Sequence, residues 1–85
     1  MHLEATQTFI RRYKKLPSDI QDRAKKALEL LQSNPGHPSL GHKKMAGQRD
    51  IFDLRVSQNY RITYQKIGTT AYLRKIGTHN LLRYP

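Results

Sequence analysis

His79 lies in the segment Ile76-Gly77-Thr78-His79-Asn80, and three cations, Arg55, Arg61 and Lys75, precede it in strand-like sequence. Histidine titrates nearest neutrality, so it is the default proton carrier among side chains. Arginine presents a planar fork of donors that suits a phosphate and the extra charge of a phosphorane. A proton carrier beside arginines fits RNA cleavage by the internal 2′-hydroxyl. A base removes that proton, the cations stabilise the phosphorane, and an acid protonates the departing 5′-oxygen. DNA lacks the internal nucleophile and cannot follow this route. The bland alternatives are a turn histidine bonding backbone groups and ordinary solvated strand arginines.

These groups need a sheet to position them, and the stretch IFDLRVSQNYRITY supplies two strands. Phe52, Leu54 and Val56, then Tyr60, Ile62 and Tyr64, alternate with period two, the pattern of a hairpin with one buried face. For both apolar sets to share that face, paired positions must sum to an even number. A loop of Ser57-Gln58-Asn59 satisfies this, setting Val56 against Tyr60 and Leu54 against Ile62. It also sets Arg55 opposite Arg61 on the solvent face. Like charges facing each other across strands are destabilising, so such a pair implies an anion to receive. Asp53, on the same face, is the simplest partner to relieve the repulsion.

The last strand, about residues 70–76, extends the argument in one of two registers. An even sum sets Tyr64 against Tyr72 and Arg61 against Lys75, and buries Ile76. An odd register buries Ala71 and Leu73 and puts Arg74 outside. The even register is preferred, and neither buries every apolar residue of the strand.

Upstream, Phe9, Ile10, Tyr13 and Leu16 form one face of a first helix, with Arg11, Arg12, Lys14 and Lys15 on the other. Leu16-Pro17 ends it, since the residue before proline is pushed out of the α region. Ser18 and Gln21 have capping-box spacing for a second helix, whose apolar positions are Ile20, Ala24, Ala27, Leu28 and Leu31. Residues 32–36 carry its stop signals. Residues 1–5 allow a short first strand, and Lys43–Gly47 a weak one. Helices segregated to one face of an antiparallel sheet give an α+β fold, with the other face free to present side chains. Tyr60, Tyr64 and Tyr72 read as core, whereas Tyr84 is freer to act. His37 and His42 read as loop residues.

Composition sets the partners. Eighty-five residues allow a single domain, and 16 Lys+Arg against 6 Asp+Glu give a formal charge of +10. That field attracts polyanions, with nucleic acid favoured over a membrane because neither helix keeps an apolar face after core packing. No cysteine is present, and the four histidines lack ligand spacing, so neither a metal nor another cofactor is expected. No apolar run reaches the ~18 residues of a membrane span. The N-terminus lacks the build of a signal peptide, and a cytoplasmic location is expected.

Taken together, the helical hairpin LPSDIQDRAKKALELLQSNP, the short KKMAG strand, DLRVSQNYRITY and the ending LRKIGTHNLLRYP resemble the RelE/ParE superfamily of bacterial type II toxins. The resemblance covers nearly the whole chain, residues 1–85 as one toxin domain. It implies a helical hairpin packed on one face of a small curved antiparallel sheet, with the active site on the concave face. It further implies an mRNA endonuclease, commonly acting at the ribosome, held inactive by a cognate antitoxin that covers the site. By position, the resemblance assigns Arg61 to the scissile phosphate, Arg55 and Lys75 to basic site positions, His79 to the terminal histidine and Tyr84 to a substrate-orienting aromatic. Lys43, Lys44, Arg74 and Arg83 are further candidates for RNA contact. Where RNase members place lysines, this chain reads Ile51-Phe52-Asp53, so the base role falls on His79. The charge favours an antitoxin with an acidic segment that folds on binding. Two alternatives remain open: a non-catalytic ParE-like toxin that binds DNA gyrase, and a basic nucleic-acid-binding module.

Overall fold

A computed structural model of the protein describes residues Met1–Pro85. Strand β1 (His2–Ala5) leads into helices α1 (Gln7–Lys14) and α2 (Ser18–Ser33). Strands β2 (Lys43–Lys44), β3 (Ile51–Arg55), β4 (Tyr60–Ile67) and β5 (Thr70–Thr78) follow, and a 3₁₀ turn spans His79–Arg83. The sheet order is β1-β5-β4-β3-β2. The expected antiparallel meander is present from β2 to β5, but the sheet as a whole is mixed because β1 pairs parallel to β5. A parallel pair needs a crossover, and the helical hairpin is part of it. No helix is long and apolar enough to cross a membrane.

The core joins Phe9, Ala24, Ala27 and Leu31 of the helices to Leu54, Ile62, Tyr64, Ala71, Leu73 and Ile76 of the sheet. Thr6 fixes the start of α1: its hydroxyl accepts from the Phe9 amide at 3.2 Å and donates to the Leu73 carbonyl at 2.8 Å. The capping box expected at Ser18 does not form. Pro17 is the N-cap, with no side-chain cap bond. Gln21 turns back instead, its Nε2 donating to the Tyr13 carbonyl at 2.9 Å, near the end of α1. The Tyr13 carbonyl, which also accepts from the Leu16 amide at 3.1 Å, thereby ties the end of α1 to the first turn of α2.

The hairpin register follows parity: Leu54 faces Ile62 and Arg55 faces Arg61, and the Val56 amide donates to the Tyr60 carbonyl at 3.0 Å. Between β4 and β5 both parities occur, separated by a bulge, but the expected even register is displaced by two residues. Ile62 faces Ile76 and Thr63 faces Lys75 on one side of it, and Tyr64 faces Leu73 on the other. Arg74 is the extra residue. Arg61 therefore faces Gly77, not Lys75, and Tyr64 faces Leu73, not Tyr72. The physical reason is burial: only the shift places Ile76, Leu73 and Ala71 in the core together.

Candidate functional site

Strand alternation puts Asp53, Arg55, Arg61, Thr63 and Lys75 on the face opposite the helices. The sequence places Arg61 in solvent there, and the structure corrects this. Arg61 is 7% exposed and Asp53 2% exposed. Arg61 Nε donates to Asp53 Oδ1 at 2.6 Å, and Nη2 reaches both that oxygen and the Gly41 carbonyl, the latter at 3.2 Å. Asp53 thus relieves the facing arginines by taking Arg61, its diagonal neighbour, and leaves Arg55 exposed. A guanidinium is buried only when its donors are met. Nη1 carries no bond, and it keeps some solvent contact, since no buried side-chain nitrogen or oxygen lacks a partner.

The chain's own last residues roof this face. Thr63, fully buried, donates from its hydroxyl to the main-chain oxygen of Pro85 at 3.0 Å. Arg74 Nε donates to the same oxygen at 3.0 Å, and Lys75 Nζ donates to the Tyr84 carbonyl. Adjacent strand residues normally point to opposite faces. The bulge lets Arg74 and Lys75 reach neighbouring carbonyls, re-aiming a side chain as bulges beside functional sites do.

His79 opens the terminal 3₁₀ turn, exposed, in a cleft of about 390 Å³ lined by Asn59, Tyr60, Thr78 and Asn80. An adjoining cleft of about 230 Å³ shares Thr78 and Asn80 and is lined also by Arg12, Lys75, Leu81 and Tyr84. Tyr84 is 77% exposed. Arg83 is exposed on the same turn. Two residues of this site escape sequence reasoning. Arg12 belongs to the polar face of α1, yet its Nη1 lies 3.5 Å from where a Cβ on Gly77 would sit. That is an ordinary contact distance, so glycine at 77 does not announce Arg12, and no sequence signal points to it. Thr63 is hidden because its significance depends on the bulge.

The two lysines of β2 part company. Lys43 faces Asp53 and Lys44 faces Phe52, so only Lys43 shares the face with Arg61. Lys44 lines a separate cleft of about 380 Å³ with His42, Phe52, Tyr64 and Lys66. His42 is no simple loop residue: its Nδ1 lies 3.0 Å from the Pro35 carbonyl and its Nε2 lies 2.6 Å from the Tyr64 hydroxyl. With Nδ1 donating to the carbonyl, Nε2 accepts from Tyr64. Burial pushes the His42 pKa below 6.5, against smaller upward effects of Pro35 and Asp53, and pushes the Tyr64 phenol up to about 12. No three His, Cys, Asp or Glu side chains gather as a metal site.

Residues 18–81 match the family model for a ParE-like toxin domain. No curated protein sequence matches the chain. Among solved structures, the fold is similar to RelE in the RelB–RelE antitoxin–toxin complex of Methanococcus jannaschii, with TM-score 0.79 and 25% identity over 95% of this chain and 98% of that one. It is similar to the toxin of the intact E. coli RelBE complex, with TM-score 0.74 and 22% identity over 91% and 94% of the two chains. E. coli YafQ gives TM-score 0.76 and 16% identity over 94% of each chain.

Proposed function

We propose that this chain, which belongs to the ParE-like toxin family and shares its fold with RelE and YafQ, is an mRNA endonuclease that arrests translation. The observation that carries this reading is the pair of adjoining clefts, with His79 in one and Arg12, Lys75 and Tyr84 in the other. In this scheme His79 takes the proton of the 2′-hydroxyl, whose oxygen attacks phosphorus. The P–O5′ bond breaks to leave a cyclic phosphate, and Lys75 supplies the proton to the departing oxygen. Arg74, Arg12 and Arg55 hold phosphates, and the exposed ring of Tyr84 stacks on a base. Arg61 orders the face through Asp53 and offers the phosphate only Nη1. Lys43 and Arg83 extend the cationic path, whereas Lys44, on the other face, is outside it.

Of 16 Lys and Arg residues, Arg49 and Arg61 alone form ion pairs with carboxylates. The partner proposed to restrain the toxin is accordingly an antitoxin with an acidic segment that orders on the cationic face. The similar RelE chains were solved in complexes with RelB. The decoding site of a translating ribosome is the proposed setting for cleavage.

Induction of the wild-type chain should arrest growth and cut messages within codons, and His79→Ala should abolish the cuts. Full cutting by His79→Ala would remove His79 from the mechanism. A second reading, a non-catalytic toxin acting on DNA gyrase, is favoured by one observation: no hydrogen bond orients the His79 ring, unlike those of His37 and His42. It predicts DNA breaks and a DNA-damage response with intact message.

A further inference from the structure

We propose that Thr63 Oγ1, Arg74 Nε and Lys75 Nζ form a phosphate subsite, and that the main-chain oxygens of Tyr84 and Pro85 occupy it in the resting chain. The inference deepens the nuclease reading and rests on it for the identity of the phosphate as RNA.

Three donors from three side chains converge on two consecutive main-chain oxygens. Two of the donors are cations, and the third is a fully buried hydroxyl. Such donors bind an ionised oxygen about twice as strongly as a neutral one, so the set suits the ionised oxygens of a phosphate. Arg74 and Lys75 can act together only because the bulge interrupts strand alternation at Arg74. β1 pairs with residues 70–73 of β5 and no further. No strand pairs with β5 beyond that point on that side; α1 lies there instead, its N-cap Thr6 donating to the Arg74 carbonyl and its Arg12 reaching over Gly77. A ligand entering there meets Arg12 first and the three donors behind Tyr84.

Residues 84–85 then act as a strap. Held on the same chain, their oxygens compete at a high effective concentration, and a phosphate enters only when the strap lifts. Lifting also frees the Tyr84 ring to move toward the substrate. The subsite is loaded and the aromatic repositioned in one motion.

The test titrates the full chain with inorganic phosphate against chloride at constant ionic strength, read by NMR at the Thr63 amide, the Arg74 Nε–H and the amides at 79–84. The expected result is that these signals shift together. Loosening the strap with Tyr84→Gly/Pro85→Gly should tighten phosphate binding about five-fold, because flexible residues lose more freedom when docked. Thr63→Val should weaken binding several-fold and Thr63→Ser restore it. Amide dispersion confirms that each variant is folded, and Arg74→Gln replaces Thr63→Val if the latter is not. Equal affinity of the loosened and wild-type chains would overturn the strap. Shifts confined to Arg55 and Lys43 would overturn the subsite. Phosphate binding needs no catalysis, so a chain that binds as described but cuts no RNA keeps the subsite and loses the nuclease reading. A chain that cuts RNA with no strap effect does the reverse.

Discussion

Removing Asp53 isolates the buried charge on which the site face is built. In the wild type, Arg61 is 7% exposed and bonded to Asp53 and to the Gly41 carbonyl. Asp53→Ala leaves a guanidinium buried with one carbonyl and no counter-charge. Breaking one side of a buried pair costs about 3–5 kcal/mol. A domain of this size has a total stability of about 4–13 kcal/mol at 0.05–0.15 kcal/mol per residue. At about 4–8 °C per kcal/mol, the melting temperature should fall by roughly 12–40 °C. The double variant Asp53→Leu/Arg61→Met should recover most of the loss, since replacing both partners by apolar groups is often near neutral. Equilibrium urea unfolding of the wild type, both single variants and the double variant gives the coupling directly. Added salt should change it little, because buried pairs are weakly screened. A loss below about 1 kcal/mol for Asp53→Ala, the range of exposed pairs, would refute the buried-pair argument and return Arg61 to solvent. The double variant also separates the two roles of Arg61. If it is stable and still cuts RNA, Arg61 organises the face. If it is stable and inactive, Nη1 reaches the phosphate.

Protonating His42 opposes burial, so its folded pKa lies below the 6.5 of the unfolded chain. The unfolded state then binds more protons just below pH 6.5, and stability should fall as pH drops through that window toward the folded pKa. Urea unfolding against pH should show this slope, and His42→Gln should remove its share. Tyr64 has the opposite sense: its folded pKa is raised from 10.0 to about 12. Its contribution is full below pH 10 and lost as pH rises toward 12, with tyrosinate absorbance showing one late-titrating phenol. Gly41 sits at φ +53, and a Cβ there would meet Arg55 Cβ at 3.3 Å. Gly41→Ala should therefore cost about 1–2 kcal/mol in unfolding measurements, while Gly36→Ala, with nothing within 4 Å, should be near neutral. Binding of a single-stranded oligonucleotide should weaken with salt, and Lys75→Gln should reduce the slope of log K against log salt by about 0.7.

The positions of the hairpin partners were legible because parity is a binary rule, and both strands carry unbroken apolar alternation from Phe52 to Val56 and from Tyr60 to Tyr64. The last strand was not, because residues Ala71, Leu73 and Ile76 obey no single parity. That misfit was itself the trace of a bulge, and the bulge decides which cations act together. Sequence could place Arg55 and Arg61 face to face, but not tell which of them Asp53 would claim. Both are within reach on a pleated surface, and the choice depends on Gly41 bringing a carbonyl to Arg61. The roof of residues 84–85 was illegible for a different reason. It is made by backbone oxygens, which every residue carries, so no residue type announces it. The face therefore differs in kind from a row of solvated arginines awaiting a polyanion. Its centre, Arg61 with Asp53, is closed and neutralised. Its accessible charge lies at the rim, in Arg55, Arg12 and Lys75, around donors already holding oxygen atoms. On the proposed reading, closing the centre and filling the donors from the same chain would limit polyanion contacts to ligands able to displace the strap.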